Sequence, residues 1–189
     1  MGMERIIGKT AAALMAFAAS GAFQLAHAEL QKGEAAPPFT AQASLGGKVF
    51  SFSLEDALKK GPVVLYFYPA AFTKGCTIEA HLFADAADKF RDDYRATVIG
   101  VSHDSIETLN KFSVSECRSK FPVAADGDRK IMTKYDARMT VLPMADRVSY
   151  VIEPDGKIWY SYQSMDPSQH VNNTLRALDD YQKTHPAQN

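Results

Sequence analysis

The stretch that decides the fold is Val63–Thr77, which reads VVLYFYPAAFTKGCT. Its first six residues are continuously apolar or aromatic, a pattern typical of a central strand that is buried on both faces of a parallel sheet. The run ends at Pro69, and a helical pattern follows from about Thr77 to Tyr94. A second strand is expected at Thr97–Val101. The order strand, helix, strand predicts a right-handed crossover and therefore an α/β domain.

Further elements are predicted on both sides of this unit. Turn residues next to short apolar runs indicate β-hairpins near both ends of the domain. Periodic apolar residues indicate more helices, one of which is expected to have Asp104 as its cap and to run to about Lys120. The other predicted elements are strands at 49–52, 148–152 and 157–162, a short helix at 129–135 and a last helix from Pro167. Together they predict a central mixed sheet flanked by helices.

The first 28 residues read as an export signal. Two basic residues precede a short apolar stretch at 11–19, and Ala26-His27-Ala28 supplies a small-x-small cleavage pattern. An uncleaved membrane anchor stays open as the alternative, although the run is short for a membrane-spanning helix. We expect a signal peptide at 1–28 and one domain at 29–189. The mature protein is expected to be exported, periplasmic in a bacterium, without stable membrane association.

The charge balance excludes several classes of partner. The chain has 21 basic and 22 acidic side chains, with a net charge of −1 when histidine is neutral. It therefore has no electrostatic footprint for nucleic acid or anionic membranes. No pair of histidines and cysteines has metal-ligand spacing, and we expect no metal, haem or flavin cofactor.

Cys76 lies where open α/β sheets place their chemistry, between the end of a buried strand and the start of a helix. Unpaired N–H groups in the first turn of a helix favour the thiolate, which is the reactive form of cysteine. Lowering a thiol pKa from about 8.5 to about 6 takes roughly 3.4 kcal/mol, whereas a helix terminus supplies at most about 2 kcal/mol. A cationic side chain must therefore contribute. The alternative is a structural disulfide between Cys76 and Cys117, because exported proteins often pair their cysteines.

Pro69, Thr73 and Cys76 reproduce the signature P-x-x-x-T-x-x-C, and here the sequence resembles the peroxiredoxin family. Residues 66–80 are most similar to the branch called bacterioferritin comigratory protein, or peroxiredoxin Q. The resemblance covers most of residues 31–162. It implies a thioredoxin-like (peroxiredoxin) fold and a thiol-dependent peroxidase that reduces hydrogen peroxide or organic hydroperoxides.

The resemblance also assigns roles to single residues. Cys76 is implied to be the attacking thiolate, with Pro69 shielding it and Thr73 binding the peroxide. Arg147 matches the arginine that pairs with the thiolate, which would supply the missing cation; a surface ion pair with Asp146 is the alternative. The implied partners are a peroxide and a thiol reductant, either a thioredoxin-like protein or a small thiol. Resemblance to this branch implies that the protein is a monomer or a weak dimer.

The role of Cys117 stays open. Many members of the branch carry a resolving cysteine five residues after the first, where this chain has His81. Others place it on the helix that begins here near Ser105, about one turn before Cys117, and one turn keeps the same helix face. We expect Cys117 to resolve oxidised Cys76 as a disulfide. The alternatives are a one-cysteine cycle, a thiol-disulfide exchange protein without a C-x-x-C motif, and a redox-silent binding module with a structural disulfide.

Overall fold

The predicted apolar strand lies inside a seven-stranded mixed sheet in the computed structural model, which describes residues 29–186. The predicted signal peptide lies outside the described residues. The strands are β1 (Thr40–Leu45), β2 (Lys48–Ser53), β3 (Val63–Phe67), β4 (Thr97–Ser102), β5 (Val123–Ala125), β6 (Val148–Ile152) and β7 (Ile158–Gln163). Their order across the sheet is β2-β1-β5-β4-β3-β6-β7.

Strand β3 explains why the sheet is mixed. It pairs in parallel with β4 and antiparallel with β6. All five of its residues are buried. Val63, Leu65 and Phe67 enter one hydrophobic cluster, while Val64 and Tyr66 enter a second cluster. The continuous apolar run of the sequence is therefore the mark of a strand with two buried faces.

Helices cover both faces of the sheet. They are α1 (Leu54–Leu58), α2 (Lys74–Tyr94), α3 (Ile106–Ser115), α4 (Lys130–Lys134) and α5 (His170–Thr184), the last preceded by a 3-10 turn at Pro167–Gln169. Residues of α1 and α4 belong to the first hydrophobic cluster, and residues of α2, α3 and α5 belong to the second. Within residues 29–186, no helix has the length and apolar character needed to cross a membrane.

Two predictions about α3 are wrong. The helix ends at Ser115 instead of near Lys120, because Arg118 and Ser119 adopt positive φ angles of 50° and 56° that an α-helix does not accommodate. Its N-cap is Ser105, whose Oγ accepts a hydrogen bond from the backbone N–H of Thr108 (3.3 Å). Cys117 therefore lies in the turn after α3, and Asp104 has a different role.

Candidate active site

Cys76 is the third residue of α2 and is 1% exposed. Thr73 is the N-cap, and its carbonyl accepts from the backbone N–H of Thr77 (2.9 Å). The N–H groups of residues 74–76 precede this first helical hydrogen bond, so helix geometry leaves them without carbonyl partners in α2. The thiol therefore lies among donors that stabilise negative charge.

Arg147 brings a positive charge to this thiol. Its side chain is 3% exposed, and its Nη2 lies 3.5 Å from the Sγ of Cys76. Nη1 donates to Oε2 of Glu79, and Nε donates to the carbonyl of Met165 (3.1 Å). The alternative of a surface ion pair is wrong, because the carboxylate of Asp146 accepts from the backbone N–H of Arg147 (2.9 Å) while the guanidinium is buried.

Gly75 makes room for the guanidinium. A Cβ at this position would lie 3.0 Å from Nη2 of Arg147, which is tighter than an ordinary contact. A side chain on Gly75 would therefore push Arg147 away from the thiol. The glycine before Cys76 in the sequence is explained by this close approach.

Pro69 and Thr73 lie on the segment that joins β3 to α2. Pro69 is buried two residues after the end of β3, whereas Thr73 is exposed. The Oγ1 of Thr73 donates to the carbonyl of Ala70 (3.0 Å) and makes no capping hydrogen bond to α2. The structure thus brings Pro69, Thr73, Cys76 and Arg147 into one region, with Thr73 at its surface.

Asp104 fixes the same segment from the neighbouring strand. Its Oδ2 accepts from the backbone N–H of Ala71 (2.7 Å) and from the Oγ of Ser102 (2.7 Å). Next to Ala71, Phe72 adopts a positive φ of 63°, which is unusual for a bulky residue. The sequence signal for this role was the position of Asp104 just after β4, since parallel strands end at the same edge of the sheet.

Glu79 is a site residue that the sequence analysis missed. It lies one helical turn after Cys76 and is fully buried. Burial raises the pKa of Glu79 to about 8, although the guanidinium of Arg147 opposes this shift. The available signal was a carboxylate three residues after the cysteine, on the same face of the helix.

Cys117 is fully buried, and both cysteines are free thiols. It belongs to the same hydrophobic cluster as Cys76, together with Tyr66 and Tyr68. Burial raises the pKa of Cys117 far above the usual range of a thiol. In this conformation Cys117 is therefore a protonated and shielded thiol.

Two ion pairs and one histidine–glutamate hydrogen bond join α2 to residues 116–120, which we call the Cys117 turn. Each pair joins one side chain of α2, at position 81, 85 or 88, to one side chain of the turn. The pairs are His81 with Glu116 (2.9 Å between Nε2 and Oε2), Asp85 with Arg118, and Asp88 with Lys120 (3.0 Å between Oδ2 and Nζ). His81 thus contacts the Cys117 turn.

Comparison of the sequence with known proteins identifies its family and several relatives. Residues 32–161 match the AhpC/TSA family. The chain is 33% identical over 153 residues to the chloroplastic peroxiredoxin Q of Sedum lineare, which covers 80% of this chain and 79% of that protein. It is 36% identical over 108 residues to a putative peroxiredoxin of Mycobacterium tuberculosis, which covers 56% of this chain and 69% of that protein.

Solved structures support the same assignment. Peroxidoxin BcpB of Mycobacterium tuberculosis has a TM-score of 0.72 at 28% identity, covering 80% of this chain and 97% of that one. The reduced 2-Cys peroxiredoxin of Plasmodium vivax has a TM-score of 0.73 at 23% identity, covering 82% and 99%, and supports the fold alone. The predicted thioredoxin-like fold is confirmed. The chain belongs to the AhpC/TSA family of peroxiredoxins, in the branch of peroxiredoxin Q and the bacterioferritin comigratory protein.

Proposed function

We propose that this peroxiredoxin reduces hydrogen peroxide or an organic hydroperoxide through the thiolate of Cys76. The sulfur attacks one peroxide oxygen and the O–O bond breaks. Cys76 becomes a sulfenic acid, and the other oxygen takes up a proton and leaves as water or an alcohol. The observation that carries the proposal is the 3.5 Å contact between a buried guanidinium and the Cys76 sulfur.

The surrounding groups suit the charge that develops on the peroxide. The backbone N–H groups of residues 74–76 and the Nη2 of Arg147 are donors near the sulfur, and preorganised donors stabilise charge in the transition state. The exposed hydroxyl of Thr73 donates to the carbonyl of Ala70 here, and it must rotate away from that carbonyl to donate to a peroxide oxygen. We propose that Pro69, which is buried, shields the thiol from water.

The test of this assignment is peroxide consumption by the reduced protein. Cys76→Ser should abolish consumption, whereas Cys117→Ser should still consume one equivalent of peroxide in a first turnover. Retention of the wild-type rate by Cys76→Ser would contradict the assignment of Cys76 as the attacking thiolate. Activity toward a protein disulfide in the absence of peroxide would instead favour the thiol-disulfide exchange alternative.

We also propose that Cys117 resolves the sulfenic acid. Its thiolate would attack the Cys76 sulfur, form a disulfide and release hydroxide, which becomes water on protonation. Because burial keeps Cys117 protonated, the Cys117 turn must open before this attack. Two observations favour a turn that opens locally: consecutive left-handed residues at 118 and 119, and attachment to α2 through pairs that are largely at the surface.

Mass spectrometry of the protein after one equivalent of peroxide tests the resolving step. A Cys76–Cys117 disulfide that forms only after oxidation is expected. A stable oxidised Cys76, or a mixed disulfide with an added small thiol, would assign the one-cysteine cycle instead. A bridge already present before peroxide would favour the redox-silent module.

Two further points are the reductant that regenerates Cys76 and the compartment in which the protein acts. We propose that a thioredoxin-like protein or a small thiol returns the two electrons that the peroxide removes, outside the cytoplasmic membrane of a bacterium. Fractionation of cells that express the full chain tests the location. Residues 1–28 should be absent from a protein recovered in the periplasm, and a full-length cytoplasmic protein would overturn export.

A further inference from the structure

A second buried titratable group lies beside Glu79. His170, the first residue of α5, is fully buried. Its Nδ1 lies 3.6 Å from Oε1 of Glu79 and 2.8 Å from Oγ of Ser149, and its Nε2 lies 2.9 Å from the carbonyl of Ser164. That Oε1 has no hydrogen-bond partner among the residues that the structure describes. The proposed chemistry makes no use of His170.

The partners of His170 decide which ring nitrogen carries the proton. A backbone carbonyl only accepts, so Nε2 donates to Ser164. Burial lowers the pKa of His170 to about 4, with Arg147 acting in the same direction. At neutral pH the ring is therefore uncharged. Its Nδ1 accepts from the hydroxyl of Ser149 through its one lone pair, so Nδ1 carries a partial negative charge and no proton where it faces Glu79.

The unprotonated and partly negative Nδ1 lies 3.6 Å from Oε1 and affects the charge of Glu79. It disfavours the carboxylate and favours the acid with its proton on Oε1, because Oε2 already accepts from Arg147. Burial of Glu79 acts in the same direction. When Glu79 is neutral, the positive charge of Arg147 interacts mainly with the Cys76 thiolate. When Glu79 is ionised, its carboxylate competes with the thiolate for that charge.

We propose that His170 is a positioning residue of the peroxidase site, acting through Glu79 to direct the Arg147 charge to the Cys76 thiolate. The inference rests on the proposed function and adds a residue that does not touch the peroxide. Other groups also face the ring: Arg147 and Asp166 shift its pKa in opposite directions, and Tyr162 on β7 contacts it edge-on at 4.8 Å. All three are retained in the variants below.

The first test is the pH titration of the Cys76 thiolate by its ultraviolet absorbance, in a Cys117→Ser background. In His170→Gln, the side-chain amide can donate to Oε1 and favour the ionised Glu79. The midpoint should then rise by about 0.5–1 pH unit. The rise should vanish in a Glu79→Gln background, because an amide carries no charge. An equal rise in both backgrounds, or no rise at all, would overturn the proposal.

A second variant controls for the case in which His170→Gln disturbs folding. Ser149→Ala removes the hydroxyl that donates to Nδ1. The lone pair of Nδ1 is then available to a protonated Glu79, which favours the neutral acid. The midpoint of the Cys76 titration should therefore fall. Opposite shifts from two substitutions at one cluster are not expected from lost packing. A rise or an unchanged midpoint in Ser149→Ala would contradict the proposal. The titration needs no turnover, so wild-type protein that titrates without consuming peroxide would refute the proposed function alone.

Discussion

Nη2 of Arg147 lies 3.5 Å from the Sγ of Cys76, although the two residues are 71 positions apart in the chain. The contact joins the segment before β6 to the first turn of α2. The rest of the guanidinium is fixed by Glu79 and by the carbonyl of Met165. Arg147 is thus held by three groups in the position where it stabilises a thiolate.

Arg147→Lys should lower the rate of peroxide reduction by about 100-fold. A single ammonium group cannot contact the sulfur, the carboxylate and the carbonyl together, as the planar guanidinium does. Stopped-flow measurement of the second-order rate constant provides the check. Arg91→Lys is a matched control, because Arg91 is exposed and pairs with neighbours on its own helix. Equal rates for both variants would show that the guanidinium is not required.

Gly75→Ala should lower the same rate by about tenfold, since the new Cβ would lie only 3.0 Å from Nη2 and would displace Nη2 from the sulfur. Alanine favours helix over glycine by up to about 1 kcal/mol, so thermal stability should stay equal or rise. Gly127→Ala is the control, because no atom lies within 4 Å of a Cβ built there. Loss of activity with loss of folding would contradict this explanation.

The double variant Asp85→Ala, Asp88→Ala should form the Cys76–Cys117 disulfide about three to ten times faster than wild type. Each exposed pair contributes little, but together they hold the Cys117 turn against α2. Mass spectrometry of samples quenched at successive times measures the rate. Asp92→Ala, which loses a pair within α2 alone, should behave like wild type.

Ionic strength provides a second check on the same ion pairs. Added salt should speed disulfide formation in the wild type, because it screens exposed charges. The double variant should respond much less. A salt effect of equal size in both proteins would show that these pairs do not hold the turn.

Glu79→Gln should remove part of the pH dependence of folding stability. Burial raises the pKa of Glu79 from 4.5 to about 8, so the folded state binds more protons than the unfolded state between these values. Stability from this residue is complete below pH 4.5 and is lost as pH rises through about 8. Urea unfolding of the wild type should show this decline, and the variant should not. Glu107→Gln, at an exposed residue, is the control.

Local patterns predicted the parts of the site that neighbouring residues in the chain encode. The apolar run of β3, Pro69, Thr73 and Cys76 lie within fifteen residues, and their geometry follows from one strand, one turn and one helix start. The roles of Pro69, Thr73 and Arg147 were identified only by resemblance. Glu79 lies within residues 66–80, which resemble the family, but its role depends on Arg147 reaching it.

Predictions failed where backbone conformation or distant contacts decide the outcome. The left-handed residues at 118 and 119 end α3 early, and neither is a glycine that would have marked the break. Asp104 has the sequence features of a cap, yet its carboxylate binds Ala71 across the edge of the sheet. Tertiary packing decides whether a side chain binds a partner nearby in the sequence or a distant one.

The sequence by itself determined the α/β class and the family and singled out Cys76 as the proposed reactive cysteine, because these depend on periodicity and on a contiguous motif. Only the tertiary structure decided what surrounds the thiol. It brought Arg147, Glu79 and His170 together from three separate elements and buried them, and burial strengthens electrostatic interactions and shifts their protonation. It also placed Cys117 in a buried turn, so that the proposed resolving step requires the turn to open as well as the presence of a second thiol.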